Sequence, residues 1–246
     1  FPGITGFVNN VFVYNGGTAE ILNNSFDLGS SALTSPANVR VRGVQSGAAG
    51  GNITISGNTF FATQAVETVL PVYTNFNAVR TLTIENNTFS AMSQSVGSTY
   101  DPAIVRTQSG VDTGSELVFR DNVAYLVGEA ATVSKGVEHG ADRPATVSGN
   151  QFISIGAAPT PVNSPAYAVN FQTGTGDGTA YNNIFIADNM NDEVRFFDVG
   201  DRVATIDHNT MRVVTTAPPN WHLVRRDTGS SNLTVRNNIG DGVGTA

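Results

Sequence analysis

The most ionisable part of the chain is the segment 135–143, which reads Lys-Gly-Val-Glu-His-Gly-Ala-Asp-Arg. It contains the chain's single lysine, Lys135, together with Glu138, His139 and Asp142. A cation that lies near other basic or amide side chains is suited to the carboxylates or sulfates of an acidic sugar. The alternative is a charged loop that connects two structural units, in which case these side chains are solvated and carry no chemistry.

Several other kinds of site are excluded or disfavoured by residue type and spacing. The three histidines, His139, His208 and His222, are too far apart in sequence for a zinc motif, and the absence of cysteine excludes disulfides and thiolate metal sites. The glycine-rich segments 47–51 and 174–178 precede expected strands rather than helices, so they lack the context of a phosphate-binding loop. We interpret both as connecting loops.

Composition limits the partners of the protein. The net charge is -7 and the sequence pI about 4.8, which argues against nucleic acid because phosphate binding needs a basic surface. Charged residues make up only 13% of the chain, against roughly 25% in an ordinary domain. No run of apolar residues is long enough for a membrane span. The 26 glycines favour many tight turns over helices.

These residues must be positioned by a repeat that runs along the whole chain. Each unit alternates apolar and other residues, then has a turn residue, an Asn and often an aromatic residue, as in ITISGNTF at 53–60 and LTIENNTF at 82–89. The predicted repeat asparagines are Asn24, Asn58, Asn87, Asn122, Asn150, Asn189, Asn209 and Asn238. Their irregular spacing of about 30 residues indicates a fixed structural unit with loops of variable length.

The chemistry of the unit predicts a strand followed by a sharp bend. Ile53 and Ile55 would point to one side of a strand. The next position holds residues that accept left-handed backbone angles, namely Gly57, Asn86, Asp121 and Gly149. The Asn side chains would then form a hydrogen-bonded ladder between units, and Phe26, Phe60, Phe89 and Phe152 would stack. The alternative, hairpins of an antiparallel sandwich, does not account for eight Asn in one register.

The repeat resembles that of the pectate-lyase-like superfamily of right-handed parallel β-helices, over residues 10–240. The resemblance implies an all-β fold, with residues 1–246 forming a single solenoid domain of about eight coils. Each coil would have three strands, with the Asn bend between the second and the third. The first strands are then predicted at 10–15, 38–44, 71–76, 103–108, 132–138, 167–172, 195–200 and 221–227.

The resemblance also implies a polysaccharide groove along the first strands. We predict that one outward-facing column there consists of Tyr14, Arg42, Asn75, Arg106, Lys135, Asn170, Asp198 and Arg225. Arg106 and Lys135 would lie on adjacent coils, where like charges repel, so the strip would exist for binding rather than for stability. The alternative is a set of solvated charges that align by chance.

An acidic-sugar lyase must neutralise the uronate carboxylate, remove the proton beside it and assist the leaving oxygen. By resemblance to the family, Lys135 or Arg106 is the predicted base, and Glu138 and Asp142 are predicted calcium ligands. Substrate contacts are expected from Arg42, Asn75, Asn170 and Arg225, and from Trp221, which would stack on a sugar or cover the end of the rod.

Two short motifs resemble those of related enzymes only in part. His139-Gly140 resembles the Gly-His-Gly of polygalacturonase-like hydrolases, but Glu138 replaces the first Gly and the paired aspartates have no clear counterpart. Ile206-Asp207-His208 resembles the Ile-Asp-His signature of one pectate lyase family, but Thr205 replaces the preceding Trp. Since Asp207 and His208 fall on the Asn bend, we interpret them as turn residues.

Two functions follow from this sequence. The first is an extracellular, or cell- or virion-surface, protein directed at an acidic polysaccharide, with lyase or depolymerase activity and a possible requirement for calcium. The second is a non-catalytic structural or adhesive module, such as a surface fibre or an end-to-end filament subunit. The second rests on the expectation that the solenoid has no caps and self-associates through its ends.

Overall fold

The fold was determined as a computed structural model, which describes residues 6–14, 18–28, 39–47, 51–61, 68–75, 79–90, 103–108, 116–128, 135–140, 142–156, 166–172, 174–188, 194–214, 221–226, 229 and 231–242. Within these residues the chain forms 24 strands and no helix. Successive strands enter a first, a second and a third sheet in turn, and each sheet contains eight parallel strands. We call three successive strands a coil. The all-β parallel β-helix predicted from the repeat is confirmed.

The strands, numbered in chain order, are distributed evenly over the three sheets. The first sheet contains β1 (Gly6–Tyr14), β4 (Val39–Gly47), β7 (Thr68–Asn75), β10 (Ala103–Gln108), β13 (Lys135–His139), β16 (Ala166–Phe171), β19 (Val194–Val199) and β22 (Trp221–Arg226). The second contains β2 (Ala19–Leu22), β5 (Gly51–Ser56), β8 (Val79–Glu85), β11 (Glu116–Arg120), β14 (Ala145–Ser148), β17 (Gly178–Tyr181), β20 (Ala204–Asp207) and β23 (Leu233–Arg236). The third contains β3 (Ser25–Asp27), β6 (Thr59–Phe61), β9 (Thr88–Ser90), β12 (Val123–Gly128), β15 (Gln151–Gly156), β18 (Ile184–Asp188), β21 (Thr210–Val213) and β24 (Ile239–Gly242).

A left-handed residue bends the chain between the second and third strands of each coil. The residues at this bend, with φ between 52° and 68°, are Asn23, Gly57, Asn86, Asp121, Gly149, Asn182, His208 and Asn237. Seven of the eight are Gly, Asn or Asp, the types that tolerate this conformation best, and the exception is His208. The interpretation of His208 as a turn residue is confirmed by its φ of 52°, whereas Asp207 is the last residue of β20 and not part of the turn.

The Asn that follows each bend joins a ladder along the solenoid. Within one link, the Asn122 backbone N–H and Nδ2 donate to Asn150 Oδ1 over 2.9 and 3.1 Å, and Nδ2 also donates to the Ile84 carbonyl. Seven of the eight predicted members are confirmed. The prediction that Asn189 belongs to the ladder is wrong, and that residue lies outside the described residues. Asn183 takes its place, bonded to Asn209 Oδ1 and accepting from Asn150.

A stack of aromatic side chains fills the interior beneath the ladder. Ring centroids are 4.8 Å apart for Phe26 and Phe60 and 5.0 Å apart for Phe60 and Phe89, as predicted from the repeat. In the next coil Ala124 pairs with Phe89 and leaves a gap. Phe119 of the second sheet fills it, with its ring between those of Phe89 and Phe152.

The second and first sheets differ in how they are buried. In β5 buried residues such as Ile53 and Ile55 alternate with more exposed ones, which is the pattern of a sheet with one solvated face. In the first sheet, every residue of β13 and of β19 is buried, including the four charged side chains Lys135, Glu138, Arg195 and Asp198. The first sheet therefore buries charged side chains that the stability of the fold does not require.

Candidate functional site

The first sheet aligns a column of polar side chains across five coils. The strand register pairs Arg106 with Glu138, Glu138 with Asn170, Asn170 with Asp198 and Asp198 with Arg225. Arg106, Asn170, Asp198 and Arg225 were predicted in one column, and the register confirms that part of the alignment. The column carries both signs of charge, so it is not the strip of cations and amides that the sequence predicted.

Four residues of the predicted column lie elsewhere. Lys135 pairs with Ala103, three residues from the column position, which Glu138 occupies. Asn75 pairs with Gln108, and Tyr73 pairs with Arg106 instead. Arg42 pairs with Leu70 and lies three residues from the column position of its strand. Tyr14 pairs with Gly47 and lies two residues from the column position of its strand. The side chains of Arg42, Asn75 and Tyr14 fall outside the described part of the structure.

Glu138 is the centre of a buried hydrogen-bonded cluster. Its Oε2 accepts from Arg106 Nε over 2.7 Å, its Oε1 accepts from Gln172 Nε2 over 2.5 Å, and Lys135 Nζ lies 3.9 Å from Oε1. The Arg106, Lys135 and Glu138 residues are only 8%, 7% and 7% exposed. The predicted repulsion between Arg106 and Lys135 is thus removed by a carboxylate that contacts both. A carboxylate engaged in this way does not fit the predicted calcium ligand.

Tyr167 is a partly exposed residue beside this cluster. Lys135 Nζ lies 5.1 Å from the centre of its ring, and Arg195 Cζ lies 5.2 Å from the same centre. Arg195 pairs with Tyr167 in the strand register, and its Nη1 lies 3.2 Å from Asp198 Oδ2 on the same strand. Two cations therefore flank the ring of one partly exposed tyrosine.

His139 lies at the end of β13, fully buried, in a second cluster. Its Nε2 is 2.9 Å from the Arg143 carbonyl, which can only accept, so Nε2 carries the proton and Nδ1 accepts from the Thr107 hydroxyl over 2.7 Å. Burial, together with the Arg202 guanidinium, lowers the pKa of His139 to about 3. His139 is consequently neutral and already bonded at both nitrogens, which disfavours it as a proton donor to substrate.

The remaining predicted residues are dispersed. Asp142 lies in the turn after β13, where its Oδ1 accepts from the Thr175 backbone N–H over 3.0 Å. Among the described residues, no group of three or more His, Asp or Glu side chains is arranged to hold a metal. Trp221 is half-buried, and its indole ring lies against Gly240 and Gly242 of β24. The prediction that it binds sugar stays a prediction.

The segment 135–143 divides between a strand and a turn. Lys135–His139 forms a buried strand, so the alternative of a solvated connecting loop is wrong for these five residues. Asp142 and Arg143 do lie in a turn, although Arg143 is fully buried. Sequence reasoning missed Gln172, Tyr167 and Arg195, which complete the cluster around Lys135 and Glu138.

Comparison of the chain with protein-family models, with curated proteins and with solved structures found no match in any of the three. In the described part of the chain, no helix is long and apolar enough to cross a membrane. The function is therefore argued from the geometry of the first sheet.

Proposed function

We propose that this β-helix is an extracellular or surface-exposed protein directed at an acidic polysaccharide, which it cleaves as a lyase. The observation that supports the proposal best is the placement of Lys135 and Arg195 on either side of the ring of the partly exposed Tyr167. A guanidinium is suited to the carboxylate of a uronate, an unprotonated lysine amine can act as a base, and a phenol ring offers both a surface for a sugar and an exchangeable proton.

The number of buried charges supports a functional role for the cluster. Taking charges out of water costs several kcal/mol for each ion, and well-packed apolar residues often stabilise a fold equally well. Here Arg106, Lys135, Glu138, Arg195 and Asp198 are all less than a tenth exposed on one sheet. Such concentrations of desolvated charge are typical of sites where chemistry or recognition takes place.

The roles follow from where the side chains lie around Glu138 and Tyr167. Arg106 contacts Glu138 through both Nε and Nη2, so it positions the carboxylate. Of the two bases that the sequence offered, Lys135 is preferred, because its Nζ lies 5.1 Å from the centre of the Tyr167 ring. In the proposed elimination, Lys135 as the unprotonated amine accepts the proton beside the uronate carboxylate, a carbon–carbon double bond forms as the bond to the leaving oxygen breaks, and Tyr167 protonates that oxygen. Arg195 neutralises the carboxylate.

The test is the ultraviolet absorbance of the double bond formed when the protein is mixed with alginate, pectate or glycosaminoglycans, with and without Ca²⁺. We expect Tyr167→Phe and Lys135→Ala to abolish the signal, with substrate binding retained in Tyr167→Phe. Arg120→Ala is the matched control, because Arg120 forms an ion pair with Glu85 on the second sheet, away from the cluster. Activity that survives both site variants contradicts the proposed roles.

A second candidate function is a structural or adhesive module. It is supported by the apolar side chains on the edge strands β23 and β24, where Val235 is 47% and Ile239 61% exposed. Such edges favour pairing with another chain. Light scattering over a range of protein concentrations tests it. This function is favoured over the first if the mass grows with concentration, if Ile239→Asp prevents that growth, and if no substrate gives a lyase signal.

A further inference from the structure

A groove with an internal volume of about 500 Å³ lies outside the first-sheet cluster, where the chain turns from the first sheet into the second. It is lined by Asp142, Gly174, Thr175, Asp201, Val203 and Ser231. These residues come from the turns of four successive coils. At about 4.8 Å for each coil, the groove extends for about 14 Å along the solenoid. Both its volume and its length are suited to a segment of a chain-like ligand.

A sequence motif that occurs twice contributes Asp142, Asp201 and Val203 to this groove. Asp142-Arg143-Pro144-Ala145-Thr146-Val147 is matched by Asp201-Arg202-Val203-Ala204-Thr205-Ile206, two coils further on. In both copies the Asp accepts from the backbone of the next coil. Asp142 Oδ1 accepts from Thr175 N over 3.0 Å, and Asp201 Oδ1 accepts from Ser231 N over 3.0 Å. The two carboxylates are therefore held in fixed orientations.

The two arginines of the motif are fully buried beneath the groove. Arg202 Nη1 donates to the Arg143 carbonyl over 3.2 Å, across the intervening coil. Gly176 makes this contact possible, because a Cβ there would lie 2.0 Å from the Arg143 carbonyl carbon. Asp142 and Asp177 attract the Arg202 charge, so the two carboxylates and the guanidinium partly neutralise one another. Arg226 Nη2 also lies 3.6 Å from Asp201 Oδ1, so each of the two carboxylates that line the groove has a guanidinium near it, and the groove is unsuited to an anionic sugar and also to a bare cation.

The lining that remains is suited to hydroxyl groups. Val203 is 42% exposed and offers an apolar surface to the C–H face of a sugar ring. Thr175, Ser231 and the two oriented carboxylates lie around it, and the Ser231 hydroxyl donates to Asp201 Oδ1 over 2.7 Å. Carboxylates accept strongly from hydroxyl donors, and a few placed polar groups around an apolar surface are typical of a ligand site.

We propose that this groove binds a neutral, polyhydroxylated glycan segment, separately from the acidic-glycan site of the first sheet. A protein with both sites recognises a mixed polysaccharide, or a neutral polymer that carries acidic branches. The groove does not depend on any of the residues to which the lyase reaction is assigned.

The test begins with a glycan array of neutral and acidic oligosaccharides, followed by calorimetric titration of the intact chain with the neutral oligosaccharide that binds best. We expect Val203→Glu to weaken that binding at least tenfold, because it places a charge on the apolar surface. Asp142→Asn and Asp201→Asn, which keep the Oδ1 acceptor and so preserve the turn, should weaken it several-fold. Glu116→Gln is the matched control, since Glu116 is a partly exposed acid at the start of β11.

Two further readouts separate this proposal from the lyase. Lys135→Ala and Tyr167→Phe should leave neutral-glycan binding unchanged, and Val203→Glu should leave elimination on short uronate oligomers unchanged. Circular dichroism establishes that each variant is folded. The proposal would be overturned if no neutral oligosaccharide on the array bound, or if folded Val203→Glu bound the neutral oligosaccharide as tightly as the unchanged chain. It would also be overturned if the chain bound Ca²⁺ and Asp142→Asn and Asp201→Asn abolished that binding.

Discussion

Arg106 and Glu138 occupy the same register position on adjacent strands, and their side chains form a buried ion pair with Nε and Oε2 2.7 Å apart. Arg106→Ala should lower the free energy of unfolding by about 3 to 5 kcal/mol, because Glu138 keeps a buried charge without its main counterion. Arg106→Met with Glu138→Met should cost less than the single change. Urea denaturation measures both.

The control for this pair is Arg120→Ala. Arg120 pairs with Glu85, but its side chain is 50% exposed, so the loss should be below about 1 kcal/mol. Equal losses for Arg106→Ala and Arg120→Ala would contradict the importance of burial at Glu138.

The Asn ladder should be much more sensitive in its interior than at its exposed first member. Asn150 Nδ2 donates to Phe119 O and to Asn183 Oδ1, both over 2.9 Å, and Asn150 Oδ1 accepts from Asn122. Asn150→Ala leaves buried polar groups without partners and should cost about 3 kcal/mol or more. Asn24→Ala, at an exposed position, should cost less than about 1 kcal/mol. Chemical denaturation measures the loss of unfolding free energy in both variants, and equal losses would refute this contrast.

His208 should respond to substitution as a turn residue. It holds a φ of 52° and its side chain is 62% exposed. His208→Gly should leave stability nearly unchanged, whereas His208→Val should cost about 1 to 3 kcal/mol because a β-branched side chain is strained in this conformation. Thermal unfolding checks the order. If His208→Gly abolished elimination without unfolding the protein, Ile206-Asp207-His208 would have to be reconsidered as a catalytic motif.

Acid should destabilise the fold through His139. Its pKa falls from 6.5 to about 3 on folding, so between these values the unfolded chain binds a proton that the folded chain does not. Stability is therefore retained above about pH 6.5 and lost as pH falls, by about 1.4 kcal/mol for each unit. His139→Gln keeps a donor for the Arg143 carbonyl and removes the titration. We expect its unfolding free energy to vary less between about pH 7 and pH 5, and an equal slope would contradict the prediction.

The repeat was predictable because its signal is local. A left-handed residue, an Asn and an aromatic residue lie within four positions, so seven of the ladder members could be identified by sequence alone. Asn183 was missed because its second strand, β17, reads Gly-Thr-Ala-Tyr and buries only small residues. The stronger alternation in Ile184–Asp188 belongs to the third strand and pointed to Asn189. Placing the ladder at Asn183 changes the neighbouring spacings to 33 and 26 residues, both close to the others.

The register of the first sheet was not predictable in the same way. Loops of variable length separate these strands from the Asn bend, so the ladder does not fix their alignment. β13 and β19 are buried at every position, and alternation therefore gives no indication of which residues share a face. Lys135 was chosen for the column because it is a cation, whereas the register places Glu138 there. Tyr167 and Gln172 become visible only when the neighbouring strands are aligned.

The direction of the Asn ladder gives the solenoid an electrical polarity. Each Asn of the ladder before Asn238 donates to Oδ1 of the ladder Asn in the following coil, from Asn24 to Asn58 at one end and from Asn209 to Asn238 at the other. The side-chain amide dipoles therefore point the same way and add along the axis, as peptide dipoles do in an α-helix. The positive end of this dipole lies toward the coil of Asn238. Aligned amides also polarise one another, which links the strength of each bond to the bonds on either side.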